Sequence, residues 1–430
     1  MIKVLLVLAF LASTATAQSI HQLEYEKHAK LDKRTDAATA ADGAKQFKPK
    51  AGAKQSYGFH PYWAPDSISK YYRWDLLSTF AYFGAELDAK TGNIAISHRW
   101  RNSTVIDSAH AHGVAVHLTA ILFSQHDSLL GVPSRRINAV QKLVALAKER
   151  NAQGINIDFE AVPGRLRDSV TQFVRELRLT AGPEFAIVLD LPAIDWNDAF
   201  DVVKLQQILD HFFLMAYDYH WRSGPTAGPI APLGGTGLSI ENSIARYLTD
   251  GIDLSKMILG LPWYGYEWAT ETDAKESPTR DDGVALVTPY AMRQAEIYGR
   301  RFDEPSRSPS YAYLGLGGVT YQAWYEDTAS LAIKYQYAVQ QNMAGIGYWA
   351  ISYAAEVPGM WNAIASAVET ASVAANAHQD AAFVRVPEGA ENVVVYDVTG
   401  RVISDASHTG VYFVRFTYEG REHMIKLINP

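Results

Sequence analysis

The segment Gly154–Glu160, GINIDFE, contains the residues best suited to chemistry. As a β-strand it places three apolar side chains on one face and Asn156, Asp158 and Glu160 on the other. Two carboxyl groups held side by side raise each other's pKa, and this is how proteins obtain a general acid near neutral pH. A strand does not need such a face in order to fold. The pattern therefore indicates acid catalysis or a metal site.

Elements that could position these residues follow from the hydrophobic pattern. Eight short apolar runs are predicted strands: 56–60, 76–84, 114–122, 155–160, 185–191, 211–218, 256–262 and 344–351. Amphipathic helices are predicted at 135–150, 166–180 and 239–250. Apolar strands that alternate with helices predict a parallel sheet buried on both faces. A (β/α)8 TIM barrel is the simplest α/β architecture with eight strands, and a doubly wound open sheet is the alternative.

The remaining segments differ in composition from the barrel. Residues 1–17 have the Lys3 start, the apolar stretch and the Ala-x-Ala site of a secretory signal peptide, with an uncleaved anchor as the alternative. Residues 18–55 are predicted to be a linker or a short surface helix. The predicted barrel covers 56–370, with a small α+β insertion at about 268–325 between strands 7 and 8. A linker at 371–382 precedes a small all-β domain at 383–430.

Composition limits the partners of the protein. The 430 residues have a formal net charge of −7, which gives no support for a nucleic-acid partner. No apolar run after the signal region has the ~18 residues that a membrane span requires. The chain has no cysteine, so disulfides and thiolate metal ligands are excluded. We expect no cofactor and no metal, because the histidines are scattered and Asn156 is a weak ligand.

In a parallel barrel, the carboxyl ends of the strands meet at one rim and form the active site. Glu160 ends the fourth predicted strand, Tyr217 and Asp218 end the sixth, and Trp349 lies at the end of the eighth. We therefore expect these side chains to converge on one bowl.

Four motifs resemble those of glycoside hydrolase family 18, the chitinase family. QGINIDFE (153–160) is similar to its fourth-strand signature, and LMAYD (214–218) is similar to its sixth-strand motif. GLPWYGYEW (260–268) and GIGYWAISY (345–353) resemble its seventh and eighth strands. The resemblance covers roughly residues 56–370 and implies a TIM barrel that hydrolyses N-acetylglucosamine glycans.

The resemblance implies a role for each catalytic position. Glu160 would protonate the glycosidic oxygen, and Asp158 would orient the substrate's N-acetyl group. Tyr217 would hydrogen-bond that acetamide, with Asp218 in support. In this family the acetamide oxygen of the substrate is the nucleophile, so retention of anomeric configuration is expected. Trp349 would form the floor of the sugar pocket.

Other residues at the strand ends are candidates for substrate binding. They are Met215, Trp221, Trp263, Tyr264, His60 and Tyr62. A packing role is an equally good explanation for His60 and Tyr62. The chain also departs from the family pattern, because Asn156 stands where many relatives have Asp and the third strand, HLTAILFS (117–124), lacks the Ser-x-Gly-Gly of many members. The presence of Asn156 should alter the pH profile, because this position brings one charge fewer to Asp158.

The C-terminal segment resembles the sorting domain of proteins exported by the type IX secretion system of Bacteroidetes. VVVYDVTGRVI (393–403), GVYFVRF (410–416) and a last strand around Lys426 follow that pattern. A generic β module or a carbohydrate-binding module is the alternative. The resemblance implies export to the cell surface or medium of a Gram-negative bacterium by the type IX machinery.

The sequence as a whole predicts a secreted, retaining chitinase that cleaves β-1,4-linked N-acetylglucosamine by substrate-assisted catalysis. An endo-β-N-acetylglucosaminidase that acts on N-glycans or peptidoglycan would use the same site. A non-catalytic chitin-binding lectin on the same barrel is the third hypothesis, although such proteins typically lose the terminal acid and Glu160 is present.

Overall fold

The structure is a computed structural model that describes residues 18–29, 54–378, 391–397, 402–403, 410–418 and 420–429. The predicted signal peptide, residues 1–17, lies outside the described residues. Helices are α1 Ile20–His28, α2 Thr104–Ala111, α3 His126–Leu130, α4 Pro133–Glu149, α5 Arg167–Ala181, α6 Val202–Leu205, α7 Ile240–Thr249, α8 Thr288–Tyr298, α9 Thr328–Gln340 and α10 Pro358–His378. Short 3-10 helices occur at Asp66–Tyr71, Trp74–Leu76, Gly164–Leu166, Leu254–Lys256, Leu316–Gly318 and Ile351–Tyr353.

The strands form three separate sheets. They are β1 Gln55–Pro61, β2 Thr79–Leu87, β3 Ile94–Ile96, β4 Ala115–Leu122, β5 Gly154–Phe159, β6 Ala186–Pro192, β7 His211–Met215, β8 Met257–Pro262, β9 Tyr264–Thr270, β10 Val284–Val287, β11 Arg301–Asp303, β12 Ser308–Leu314, β13 Thr320–Tyr325, β14 Gly345–Trp349, β15 Glu391–Asp397, β16 Val402–Ile403, β17 Gly410–Tyr418 and β18 Arg421–Asn429.

The predicted TIM barrel is confirmed. Parallel pairing runs β1-β14-β8-β7-β6-β5-β4-β2, and β1 also pairs with β2, which closes the eight strands into a barrel. The short β3 pairs antiparallel with the end of β2. These eight barrel strands are the eight predicted from the apolar runs. Closure brings the carboxyl ends of all eight to one rim.

Aromatic rings fill the interior of the barrel. The ring of Phe213 on β7 packs against Tyr57 and Phe59 of β1 at 5.7 and 5.0 Å between ring centroids. Gly260 and Gly347 make room for that ring, because a Cβ atom at either position would lie 2.2 Å from a Phe213 ring carbon. This packed layer forms the floor beneath the candidate site.

The connection between β8 and β14 carries the predicted α+β insertion. Its antiparallel sheet has the order β10-β9-β13-β12-β11 and is accompanied by α8. The sheet begins at Tyr264, a few residues before the predicted boundary of 268, because β9 continues almost directly from β8. One wall of the barrel mouth therefore comes from this insertion.

Two flanking segments differ from the sequence prediction. The predicted linker at 371–382 is helical as far as His378, because its Ala-rich sequence extends α10. Within 18–55, helix α1 forms at Ile20–His28, but Ile20 and His21 are buried in the barrel mouth and do not lie on the surface. No helix in the described residues is long and apolar enough to cross a membrane.

The C-terminal strands form a four-stranded antiparallel sheet in the order β16-β15-β17-β18. All the strand pairings described for β15–β18 stay within this sheet. The small all-β character predicted for the C-terminal residues is therefore observed.

Candidate active site

The alternation of β5 determines which side chains enter the bowl. Phe159 points outward, where its ring lies 5.0 Å from the ring of Phe173 on α5. Asn156 and Asp158 point inward and are completely buried. Glu160 follows the last residue of β5 and lies at the rim, with its side chain 9% exposed. The polar face predicted from the sequence therefore lines the barrel interior.

Asp190 on β6 adds a further carboxylate to this face. Asn156 Nδ2 donates a hydrogen bond of 2.8 Å to Asp190 Oδ2. Burial, and then the nearby charge of Asp158, raise the pKa of Asp190 well above its usual value. Burial and Asp158 also raise the pKa of Glu160, although His21 opposes the shift. A raised pKa suits Glu160 to the donation of a proton near neutral pH.

The loop after β7 provides the opposite wall. Asp218, which has a positive φ of 58°, accepts a hydrogen bond of 2.5 Å from the Tyr264 hydroxyl. Burial raises the pKa of Asp218 to about 6. Tyr217 is buried and directs its hydroxyl towards the carboxylate face. Met215, the last residue of β7, shares the inward face with Phe213 and Tyr217.

Trp349 forms an aromatic floor at the end of β14. Its ring packs 4.9 Å from Phe83 and 5.5 Å from Phe59. The indole Nε1 of Trp349 and Oδ1 of Asp158 have no hydrogen-bond partner among the described residues. Unsatisfied polar atoms beside a flat aromatic face are suited to a ligand that both stacks and hydrogen-bonds, such as a sugar ring.

The side chain of His21, from α1, lies between these walls. Its Nδ1 is 3.0 Å from Asp158 Oδ2 and 3.2 Å from Glu160 Oε1. Its Nε2 is 2.8 Å from the Tyr217 hydroxyl, and its ring lies 3.7 Å from the Trp349 ring. This arrangement brings together the groups that the sequence placed at three different strand ends.

Several predicted binding residues lie elsewhere. His60 points away from the bowl because its neighbour Phe59 points inward, and its Nδ1 lies 2.6 Å from the Tyr72 hydroxyl. Burial lowers the pKa of His60 to about 3, as expected for a neutral core histidine. Tyr62 is buried and stacks on His98 at 3.4 Å between ring centroids. The packing explanation therefore applies to both His60 and Tyr62.

Trp263 is also a core residue and not a sugar-stacking surface. It is fully buried, donates a hydrogen bond of 3.1 Å to Tyr335 on α9, and packs against Tyr348 and Trp361. Trp221 lies partly exposed in the loop after β7, beside Gly224. Its contact with substrate stays a prediction.

Asp190 and His21 also lie in the site, and neither was predicted from the sequence. Asp190 could have been found, because it is the one charged residue in the predicted strand FAIVLDL (185–191). However, its position within the strand did not show that its side chain would lie next to Asn156. His21 has no such signal, since it belongs to a polar segment 137 residues from Asp158.

His21, Asp158 and Glu160 could also act as metal ligands, because one ligand atom from each lies within 4.8 Å of the others. The distances from His21 to the carboxylates are those of direct hydrogen bonds and ion pairs. Two carboxylates and one imidazole suit several divalent ions equally, so this set selects none.

The structure has the features of a (β/α)8 glycosidase, namely a closed barrel, paired carboxylates at its rim and an aromatic floor. The chain belongs to family 18 of the glycosyl hydrolases, because the family model matches residues 55–354.

Curated relatives include one named provisionally as a sporulation-specific glycosylase, YdhD of Bacillus subtilis (strain 168). It is 30% identical over 240 residues, which cover 54% of this chain and 54% of the relative. The cortical fragment-lytic enzyme of Bacillus cereus is 24% identical over 271 residues, covering 61% and 59%. The chain thus spans little more than half the length of these two relatives. Di-N-acetylchitobiase of Rattus norvegicus is 25% identical over 309 residues, covering 65% and 77%.

Solved structures share the fold. A chitinase from Cycas revoluta in complex with (GlcNAc)3 superimposes with a TM-score of 0.64 at 20% identity, covering 73% of this chain and 99% of that one. The spore cortex-lytic enzyme SleL of Bacillus cereus gives a TM-score of 0.63 at 20% identity, covering 80% and 81%.

Proposed function

We propose that the protein is a secreted, retaining hydrolase of β-1,4-linked N-acetylglucosamine chains, with chitin oligosaccharides as the leading substrate class. The observation that carries the proposal is the juxtaposition of Asp158, Glu160 and Tyr217 around one point above the Trp349 ring. A sugar stacked on Trp349 at that point would have its N-acetyl group within reach of Asp158 and Tyr217.

In this mechanism Glu160 donates its proton to the glycosidic oxygen as the bond breaks. The acetamide oxygen of the substrate attacks the anomeric carbon and forms a cationic oxazolinium ring. Asp158 orients the acetamide N–H and stabilises the positive charge, while Tyr217 hydrogen-bonds the acetamide. Water, which gives its proton to the ionised Glu160, then attacks the anomeric carbon from the face that the leaving group vacated and breaks its bond to the acetamide oxygen, so that configuration is retained.

The charge of the cleft favours a neutral polymer. Next to Tyr25, a groove of about 360 Å³ is lined by the carboxylates of Glu86 and Asp88 and by Lys90, among others. Chitin carries no charge, whereas the peptide carboxylates of peptidoglycan would be repelled by the carboxylates of the bowl. Peptidoglycan is the second candidate, because it is favoured by the similarity to the cortical fragment-lytic enzymes.

Glu160→Gln tests the acid assignment. Loss of the proton donor should lower kcat by about 10²–10⁴-fold while oligosaccharide affinity stays within a few-fold. Glu149→Gln is the matched control, because Glu149 lies on α4 and pairs with Arg101 at the surface. Undiminished turnover by Glu160→Gln would contradict the mechanism. A wild-type chain that binds chitin oligomers without cleaving them would support the lectin hypothesis.

A substrate panel distinguishes the candidates. Chitin oligomers, a high-mannose glycoprotein and peptidoglycan are offered side by side, and products are identified by mass. We expect cleavage of chitin oligomers and none of their deacetylated counterparts, since these lack the acetamide nucleophile. Efficient cleavage of deacetylated chains would overturn substrate assistance.

Export is part of the same proposal. The signal-peptide pattern of residues 1–17 supports secretion, and the resemblance of residues 393–428 to type IX sorting domains supports delivery to the cell surface or medium of a Gram-negative bacterium. A polymeric, insoluble substrate class is consistent with an enzyme that acts outside the cell.

A further inference from the structure

Helix α1 enters the mouth of the barrel with its N-terminal end first. Ser19 caps the helix by accepting a hydrogen bond of 3.1 Å from the Gln22 amide. The backbone N–H of Ile20, one of the free donors of the first turn, donates a hydrogen bond of 3.0 Å to Asp218 Oδ2. Asp218 thus accepts a hydrogen bond from a backbone N–H group that has no partner within the helix.

One face of the helix makes the side-chain contacts with the cleft. His21, Tyr25 and His28 are spaced i, i+4 and i+7 and therefore share a face. Tyr25 donates a hydrogen bond of 2.9 Å to Glu86 on β2, and His28 stacks on Trp63 at 5.1 Å between ring centroids. A nine-residue helix is marginal in water, so its order depends on this docking.

The ring of His21 lies against the groups that the proposed mechanism assigns to the reacting sugar. Its two nitrogens are within hydrogen-bond distance of Asp158 and Tyr217, and its ring lies against Trp349. The imidazole is a planar, five-membered ring. The oxazolinium ion of the proposed mechanism also contains a planar, five-membered ring, and it would contact Asp158 and Tyr217.

We propose that residues 18–29 are an autoinhibitory segment whose His21 occupies the N-acetylglucosamine pocket, so that the full chain is latent until this segment is displaced. A sugar on Trp349 and the His21 ring cannot be present together, because the ring centroids of His21 and Trp349 are only 3.7 Å apart. The inference rests on the proposed function for the identity of the displaced ligand.

Tethering makes such inhibition effective even if the segment binds weakly. A segment on the same chain as its site can have an effective concentration on the order of 1 mM. With an intrinsic dissociation constant of about 10 µM, it would be docked about 99% of the time, and kcat/KM would fall about 100-fold. On the proposed cleavage after Ala17, the segment would remain on the exported chain.

Two substitutions in the full chain test latency. His21→Ala removes the ring, and His21→Asp places a carboxylate against Asp158 and Glu160 while preserving a helix start. We expect kcat/KM on a soluble chitin oligomer to rise about tenfold or more, and more for Asp than for Ala. Lys27→Ala is the control, because Lys27 is 65% exposed and, in the part of the chain that the structure describes, pairs with Glu24 of its own helix. The activity of this variant should equal that of the wild type. Unchanged kcat/KM in both His21 variants would overturn the proposal.

A second readout does not depend on hydrolysis. In a histidine-ring NMR spectrum of the full chain, the His21 signal is identified by its loss in His21→Ala. We expect the chemical shift of this signal to differ from that of free histidine, and to move to the free value when tri-N-acetylchitotriose is added in excess. If the chemical shift already has the free value without sugar, the segment is not docked, whatever the activity. Docking and displacement by sugar, with no hydrolysis by any variant, would refute the proposed hydrolase function and leave the docked segment standing.

Both measurements are repeated with EDTA and with added Zn²⁺, because His21, Asp158 and Glu160 could together hold a cation. If His21 contacts the two carboxylates directly, the chelator should leave both kcat/KM and the His21 signal unchanged. If EDTA alone releases His21 and raises kcat/KM as much as His21→Asp does, a bridging metal holds the segment, and the proposed direct contact is wrong.

Discussion

At the scale of single residues, the charge on the polar face of β5 depends on a hydrogen bond between two neighbouring strands. Asn156 brings no charge itself, but its side chain hydrogen-bonds to Asp190, whose pKa is raised by burial and by Asp158. The expectation of a face with only two carboxyl groups was therefore incomplete. A third carboxyl group lies on β6, held there by the amide of Asn156.

Asn156→Asp should shift the pH profile upward. The introduced carboxyl group and that of Asp190 would share one proton and together carry one more negative charge than the native pair, which disfavours ionisation of Glu160. Because Glu160 must be protonated to act, the basic limb of kcat/KM should move to higher pH, by on the order of one unit.

The profile is measured in a His21→Asp background, and again with Asn138→Asp, a partly exposed position on α4 whose side chain bonds to Thr91 and Asn93. In the Asn138→Asp control, the basic limb of the kcat/KM profile should stay at the same pH. If this limb does not move in Asn156→Asp either, position 156 is not coupled to Glu160.

At the scale of elements, a buried ion pair joins the insertion to the barrel. Lys334 on α9 contacts Glu326 Oε1 at 2.5 Å and Ser308 of β12 at 2.9 Å, and the side chains of Lys334 and Glu326 are fully buried. A buried charge without its partner is far less stable than either the pair or an apolar replacement. The insertion that walls the cleft should therefore depend on this contact.

Lys334→Met should lower the free energy of unfolding by about 3–5 kcal/mol, since it leaves Glu326 buried without a counter-charge. The double variant with Glu326→Leu should recover most of this loss. Lys204→Met is the control, because Lys204 is 55% exposed and solvent screens its pair with Asp201, so the loss of that pair should hardly change the free energy of unfolding. Urea unfolding monitored by tryptophan fluorescence measures all three, and equal losses for Lys334→Met and the double variant would contradict the argument.

At the scale of the whole molecule, the C-terminal sheet and the barrel are separate hydrogen-bonded units, since β15–β18 pair only with one another in the described residues. Removal of residues 380–430 should therefore leave kcat/KM on chitin oligomers within about twofold of the full chain. In a bacterium with type IX export, the truncated chain should fail to reach the cell surface. Normal delivery of the truncated chain would refute the sorting hypothesis.

Local pattern was sufficient for the eight barrel strands and for the polar face of β5. The alternation of β5 placed Asp158 on an opposite face from Phe159, and the motifs at two other strand ends indicated Tyr217, Asp218 and Trp349. These features depend on residues close together in the chain, whose geometry is set by the period of the strand.

The tertiary structure determined which residues contact the polar face of β5. His60 was ambiguous until Phe59 was seen to point inward, and Trp263 became a core residue once α9 and α10 packed over it. Asp190 needed the register of β5 against β6. Above all, the sequence left Gly154–Glu160 as a polar face that awaits a substrate, whereas the fold places His21 upon it. Contacts across 137 residues are chosen by the shape and charge of the closed barrel, and no period in the sequence encodes them.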